Sequence, residues 1–321
     1  MQVWHNIIKT LAVMAVWLCI MSQGASAQNT NDQKAGSILF YHIYTSRTVN
    51  TAGVDTRIAI TNTSPDDGIN VHFYFIDAFT CQVADAFMFL TPSQTAQFQA
   101  SDMDPDVNGY IVAVAVDKDG LPTQHNFLIG SEAVKQTLGP TINTTHSYHL
   151  GAQAFIKINN QVPAFLPDGA STTLVFDGGA SASSYEQLPA EVLIDNFESQ
   201  VTADTRLIIY SPKSSFYGPG TFGGQIFVVY YDDMERPFSA TFGLVCWLQT
   251  RLNIIRNLSL RVPAGHTGWA RLAGFRNGEN IPLLGSVVTA GELTGFSGGH
   301  NLHLTKALPT YTITVPVFPP S

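Results

Sequence analysis

Downstream of residue 36 the chain is written in short apolar runs broken by turn residues, and within most runs apolar and polar side chains alternate. Thr56, Ile58 and Ile60 alternate with Asp55, Arg57 and Ala59, so a strand here buries one face and turns an Asp/Arg pair to the other. Val71, Phe73 and Phe75 share a face within Ile69 to Asp77, and Ile226, Val228 and Tyr230 do the same later in the chain. Further strands are expected over Ser37 to Thr45, Ala86 to Leu90, Thr95 to Ala100 and Phe127 to Gly130. Tyr110 to Val116 is apolar at odd and even positions alike, which predicts a central strand covered on both faces. Asp117-Lys118-Asp119-Gly120 and Asn277-Gly278 read as hairpin turns. Helical periodicity is nearly absent, and Ser131 to Thr137 is the stretch that fits a short helix. Tyr311, Ile313, Val315 and Val317 alternate with Thr310, Thr312, Thr314 and Pro316, and the proline places this last strand at a sheet edge.

The pattern occurs twice. Val54-Asp55-Thr56-Arg57-Ile58-Ala59-Ile60 reappears as Ala203-Asp204-Thr205-Arg206-Leu207-Ile208-Ile209. Leu39 lines up with Leu193, Asp77 with Asp232, Gly109-Tyr110 with Gly268-Trp269, Gly130-Ser131 with Gly285-Ser286, and His146/His149 with His300/His303. The landmarks keep their order while the spacing between them drifts, as loop-length changes would cause. The expected fold is therefore all-β: two tandem, internally duplicated immunoglobulin-like β-sandwich domains after a cleaved signal peptide.

Met1 to Ala27 carries Lys9 as its one charge, an apolar run from Leu11 to Met21, and Ala25-Ser26-Ala27, the layout of a secretory signal peptide. Residues 28–36 are expected to be disordered, 37–160 to form the first domain, 161–190 a connection with an added strand, and 191–321 the second domain. No stretch beyond the signal is long and apolar enough to cross a bilayer as a helix. The expected location is secreted, at the cell surface or in the periplasm of a bacterium. Charged residues make up 12% of the chain, about half the usual quarter, so the surface must be covered mainly by uncharged polar side chains. The acidic balance, net −8 overall, argues against a nucleic-acid partner. Cys81 and Cys246 remain once the signal is removed, and they read either as one interdomain disulfide or as two buried thiols.

Candidate chemistry is sparse. Asp102, Asp104 and Asp106 with Asn108 place oxygen groups at every second position of a loop, which suits calcium; the alternative is a solvated acidic turn. His146, His149, His300 and His303 form a weaker metal candidate, because two histidines three apart on a strand point to opposite faces. The Asp55/Arg57 and Asp204/Arg206 pairs are expected to be structural. No nucleophile elbow, zinc-protease motif or phosphate loop is present in the sequence. Tyr74, Tyr210, Tyr217, Trp247 and Trp269 offer aromatic surface for a sugar, although most alternate into core positions.

Residues 28–160 carry 6 basic and 12 acidic groups, whereas residues 191–321 carry 9 of each, with Arg251, Arg256, Arg261, Arg271 and Arg276 close together. This asymmetry allows a head-to-tail contact between copies. The leading functional expectation is a non-catalytic secreted or cell-envelope protein acting by surface interaction, in adhesion, matrix or filament assembly. Its partner would be another extracellular protein, a glycan or a second copy. The runner-up is a secreted carbohydrate-active or other hydrolase, and a third reading is a calcium-dependent binding module.

Overall fold

The computed structural model describes residues 34–46, 54–138, 144–181, 183–198, 203–218, 220, 222–252, 262, 266–291 and 297–320. The signal peptide and most of the segment 28–36 lie outside these residues. Lys34 to Gly36, expected to be disordered, are held in place. Lys34 pairs with Glu186 at 2.7 Å, and Gly36 exchanges backbone hydrogen bonds with Leu128.

The described residues make a nearly all-β fold, in five small sheets. The first unit contains β1 (Ile38–Thr45), β2 (Asp55–Asn62), β3 (Ile69–Asp77), β4 (Val83–Leu90), β5 (Thr95–Gln99), the short helix α1 (Ala100–Met103), β6 (Asn108–Val116), β7 (Leu128–Leu138), β8 (Thr144–Gly151) and β9 (Gln153–Phe155). A middle segment gives β10 (Ser171–Phe176) and β11 (Ser184–Tyr185). The second unit contains β12 (Pro189–Glu198), β13 (Ala203–Tyr210), β14 (Gly224–Asp232), β15 (Pro237–Leu244), β16 (Trp247–Arg251), β17 (Thr267–Arg276), β18 (Glu279–Ile281), β19 (Leu284–Gly291), β20 (Ser297–Asn301) and β21 (His303–Ala307). The chain ends with β22 (Tyr311–Pro316).

The repeat seen in the sequence is a repeat of topology. Sheet A has the order β4-β3-β6-β1-β9 and sheet B the order β5-β2-β7-β8. Sheet C (β15-β14-β17-β12-β21) and sheet D (β16-β13-β19-β20) reproduce them strand for strand, with β18 added beside β17. Registers fix the equivalences. Tyr44 pairs with Gly109 and Phe197 with Gly268, each just after a bulge in the first strand of its unit. A side chain on Gly109 would collide with the carbonyl of Ile76, and one on Gly268 with that of Tyr231. These two carbonyls are equivalent, so the shared glycine has one steric cause in both units. Asp77 and Asp232 also repeat a role: each caps its hairpin by accepting backbone N–H groups, from Phe79 and Thr80 in one case and Met234 and Arg236 in the other.

Several expectations need correction. The immunoglobulin order places the first two strands side by side, whereas here β1 lies between β6 and β9 and β2 belongs to the other sheet. Leu39 matches Val192, not Leu193, because the pairing partners Ala113 and Leu272 are the equivalent ones. Ser131 to Thr137, expected as a helix, is part of strand β7, paired with β2 and β8. The turn Asp117–Gly120 does fold the chain back on β6 as expected, through an antiparallel bridge from Val116 to Pro122 and a Thr123 amide that donates to the Ala115 carbonyl, and Asn277-Gly278 makes the matching hairpin, both residues at positive φ. The middle segment adds no strand to either unit. It forms sheet E (β11-β10-β22) with the last strand, so β22 leaves the second unit and takes an edge, where Pro316 lies opposite Ser171 at the end of the ladder.

Sheet A packs on B through a core that includes Leu39, Ile58, Phe73 and Ile111, and C packs on D through Val192, Leu207, Ile226 and Leu272. The backs of B and D meet through Val134, Tyr148, Ile208 and Val288. Sheet E covers the back of A, and Tyr110 of A stacks on Tyr210 of D with ring centroids 4.1 Å apart. Contacts therefore run A to B to D and back to A and E, which makes a propeller-like ring of small sheets with C attached to D. Cys81 and Cys246 form a disulfide between the units, across 165 residues of sequence and a Cα separation of 5.8 Å. Among the described residues no helix is long and apolar enough to cross a membrane.

Candidate functional site

Equivalent faces of the two units differ in what covers them. The back of sheet A presents Ile38, Phe40, Tyr74, Ile76, Tyr110, Val112, Val114 and Val116, all buried under sheet E and its surroundings. Each contributes about 1.5–3 kcal/mol by leaving water. The matching positions on the back of sheet C are Glu191, Leu193, Val229, Tyr231, Trp269, Arg271, Ala273 and Phe275, none of them fully buried. Among the described residues no strand is packed there as sheet E is on A. Arg271, half exposed, pairs with Glu191 at 3.5 Å in the middle of the face. Beside them Tyr231 and Trp269, directly opposed on β14 and β17, stack at 4.3 Å and 7°. Phe227 stands 41% exposed on the same side.

At one margin of this face the bulge in β12 turns Asp195 outward, because Ile194 and Phe197 on either side both enter the core. His300 Nε2 lies 2.8 Å from Asp195 Oδ1 and His303 Nε2 3.4 Å from Oδ2. Burial raises the Asp195 pKa, but the two histidines outweigh it and the net shift is downward. This is the group of three or more His, Cys, Asp or Glu side chains with convergent ligand atoms among the described residues.

The structure thus brings together two of the eight residues singled out for metals and adds one the sequence reading passed over. His146 and His149 lie on β8 with His146 buried and His149 exposed, on opposite faces as strand geometry requires. They are not the counterparts of His300 and His303. Leu150 pairs with Glu132 as His300 pairs with Val287, and Gln153 pairs with Phe40 as His303 pairs with Leu193, so the true counterparts are Leu150 and Gln153. The four histidines form no common site. The acidic loop also does not converge on a cation. Asp104 accepts the Tyr44 hydroxyl at 2.6 Å, Asp102 accepts the Gln99 amide at the start of α1, the Asp106 amide donates to Ser46, and Asn108 opens β6 opposite Thr45. Asp55 accepts from Ser101 and from the Thr56 amide, and no ion pair joins it to Arg57. Asp204 has its side chain outside the described residues.

A concavity of 390 Å³ lies on sheet B, lined by Asp55, Arg57, Lys135, Ser147, Tyr148 and His149 among others. It gathers a serine, a histidine and a carboxylate, but the carboxylate is taken by Ser101 and no hydrogen bond links the three. Of the aromatic residues considered for sugar binding, Tyr74 and Tyr210 are buried, Trp247 donates to the His42 carbonyl, and Tyr217 and Trp269 reach the surface.

No protein-family model matches the chain, and no curated protein matches it. Among solved structures, one titled Thermotoga maritima 1070 is 10% identical over 37% of this chain and 95% of its own, with a TM-score of 0.27. A Pleurotus ostreatus lectin in complex with GalNAc is 9% identical over 90% of this chain and 82% of its own, at 0.20. The major pilin of Streptococcus pyogenes is 6% identical over 88% and 97%, at 0.20. At such scores none of these carries an argument about this chain.

Proposed function

We propose that the chain is a non-catalytic exported protein that acts by surface interaction, in adhesion, matrix or filament assembly, and that its working surface is the open back of sheet C. One observation carries this reading: a face that the first unit seals with a third sheet has no such cover among the described residues in the second and is refitted with Tyr231, Trp269, Arg271 and Glu191. Trp, Tyr and Arg are the residues that dominate the energetic centres of protein interfaces. An ion pair at the centre lets the same face stay in water while it waits for its partner.

The partner is a second copy, presenting its first unit. That half carries the acidic excess, with Asp66, Asp67, Asp85 and Asp119 exposed, whereas the face around Arg271 belongs to the charge-balanced half. A contact between unlike surfaces does not close on itself, so it extends into a chain of molecules. Salt should dissolve it, since exposed charges are screened beyond about 10 Å at 0.1 M. Sedimentation velocity of the mature protein should show concentration-dependent association in about 20 mM salt, dispersal in about 500 mM, and a monomer in both for Arg271→Glu at unchanged melting temperature. A wild-type monomer under all these conditions refutes the second copy as partner. Binding to a glycan array that Trp269→Ala abolishes would reassign the face to sugar.

A further inference from the structure

We propose that Asp195, His300 and His303 form a surface zinc site, with two imidazole nitrogens and one carboxylate as ligands and a fourth position open to solvent. The backbone builds this arrangement from three separate devices. The β12 bulge aims Asp195 outward. Leu302, buried in the core of the second unit, pins the turn between β20 and β21. That turn lets two histidines three residues apart approach the same carboxylate, which a continuous strand would forbid.

The dimensions suit the ion. Nitrogen and oxygen ligands about 2.0–2.2 Å from a tetrahedral zinc stand about 3.4 Å from one another. The two His–Asp distances are 2.8 and 3.4 Å, and all three ligand atoms lie within 4.8 Å of one another. Both histidines turn Nε2 toward the carboxylate, so no ring has to flip. Side chains 43%, 55% and 52% exposed, for His300, His303 and Asp195, leave an open approach. The fold does not require the set. The equivalent positions in the first unit are Leu150, Gln153 and His42, which occupy the same backbone with no such cluster. Elsewhere on the second unit His266 and Asp233 make a lone His–carboxylate contact at 2.6 Å, which provides an internal control.

The test is calorimetric titration of zinc chloride into the mature full chain, carried without a histidine tag. It should show about one ion bound per chain, and loss of a direct ligand in His300→Ala, His303→Ala or Asp195→Asn should weaken binding by more than the roughly 10- to 100-fold typical of outer-shell changes. His266→Ala should bind as wild type does. Cobalt(II) should give the intense visible bands of a four-coordinate centre, absent from the His300→Ala/His303→Ala double variant. The site is refuted by zinc binding that survives in the double variant, by binding lost equally in His266→Ala, or by no binding at all in wild type. Uptake of copper(II) but not zinc would refute the choice of metal. The variants alter exposed side chains, and circular dichroism confirms that each is folded before titration. This inference stands apart from the self-association proposal: zinc can bind a monomer, and Arg271→Glu leaves all three ligands in place.

Discussion

The backs of sheets A and C share one backbone, position for position, yet one is buried throughout and the other meets water. Val112 and Arg271 are the same position, as are Ile38 and Glu191, and His42 and Asp195. The difference teaches that the strand ladder and the inner core are enough to specify each unit. The outer face is then free to be sealed or exposed, according to a handful of side chains and the availability of β10, β11 and β22.

The sharpest way to break this comparison is to move a charge onto the sealed side. Val112→Arg places an unpaired cation under sheet E, at a cost of about 3–5 kcal/mol or more, and urea denaturation should find it unfolded or barely folded. The reciprocal Arg271→Val should shift the urea midpoint by no more than about 0.5 kcal/mol equivalent. Similar losses from both substitutions would show that the two faces are not differently covered. The disulfide comes next. Cys81 and Cys246 both belong to the sealed cluster, so Cys81→Ser with Cys246→Ser should lower stability by about 2–4 kcal/mol while leaving the environment of Trp269, read by its fluorescence in a variant retaining that tryptophan alone, unchanged.

Per pH unit, the effect of titration is smaller still. His42 is buried with Nδ1 at 3.0 Å from the Tyr210 hydroxyl, and burial pushes its pKa down to about 3. The unfolded chain takes up this proton near pH 6.5 and the folded chain does not. Stability should therefore fall as pH drops from about 6.5 toward 3, with a contribution of up to about 1.4 kcal/mol per pH unit from this residue. In His42→Gln, denaturation measured across that range should show a shallower decline. An unchanged slope would mean that His42 is not held neutral on the sealed side.

Much of this was legible in the sequence, for identifiable reasons. Asp77 and Gly109 found their counterparts because a cap in one case and a steric collision in the other leaves the chain little choice there. The all-apolar run Tyr110 to Val116 announced a covered central strand. The His-x-x-His pairs misled because both units end in similar text, and only the ladder shows that the second pair is displaced by four residues from the first. The strand pattern alone also left sheet pairing open, and the immunoglobulin order was the wrong choice among those it allowed. Asp195 was passed over, although Asp195-Asn196 interrupts the alternation of Val192, Ile194 and Phe197 and so marks a bulge. The open face escaped notice because alternation shows that Tyr231, Trp269 and Arg271 point outward but not whether another layer lies over them.

Covalent footprinting of the full chain, read residue by residue with mass spectrometry, tests the contrast between the two faces most directly. The account predicts strong labelling of Tyr231, Trp269, Phe227 and Phe275 in dilute, high-salt solution, weak labelling of Tyr74, Tyr110 and Phe40, and protection of the first group alone when the protein is concentrated at low salt. Equal labelling of Tyr110 and Trp269, or no change at Trp269 on concentration, would contradict it.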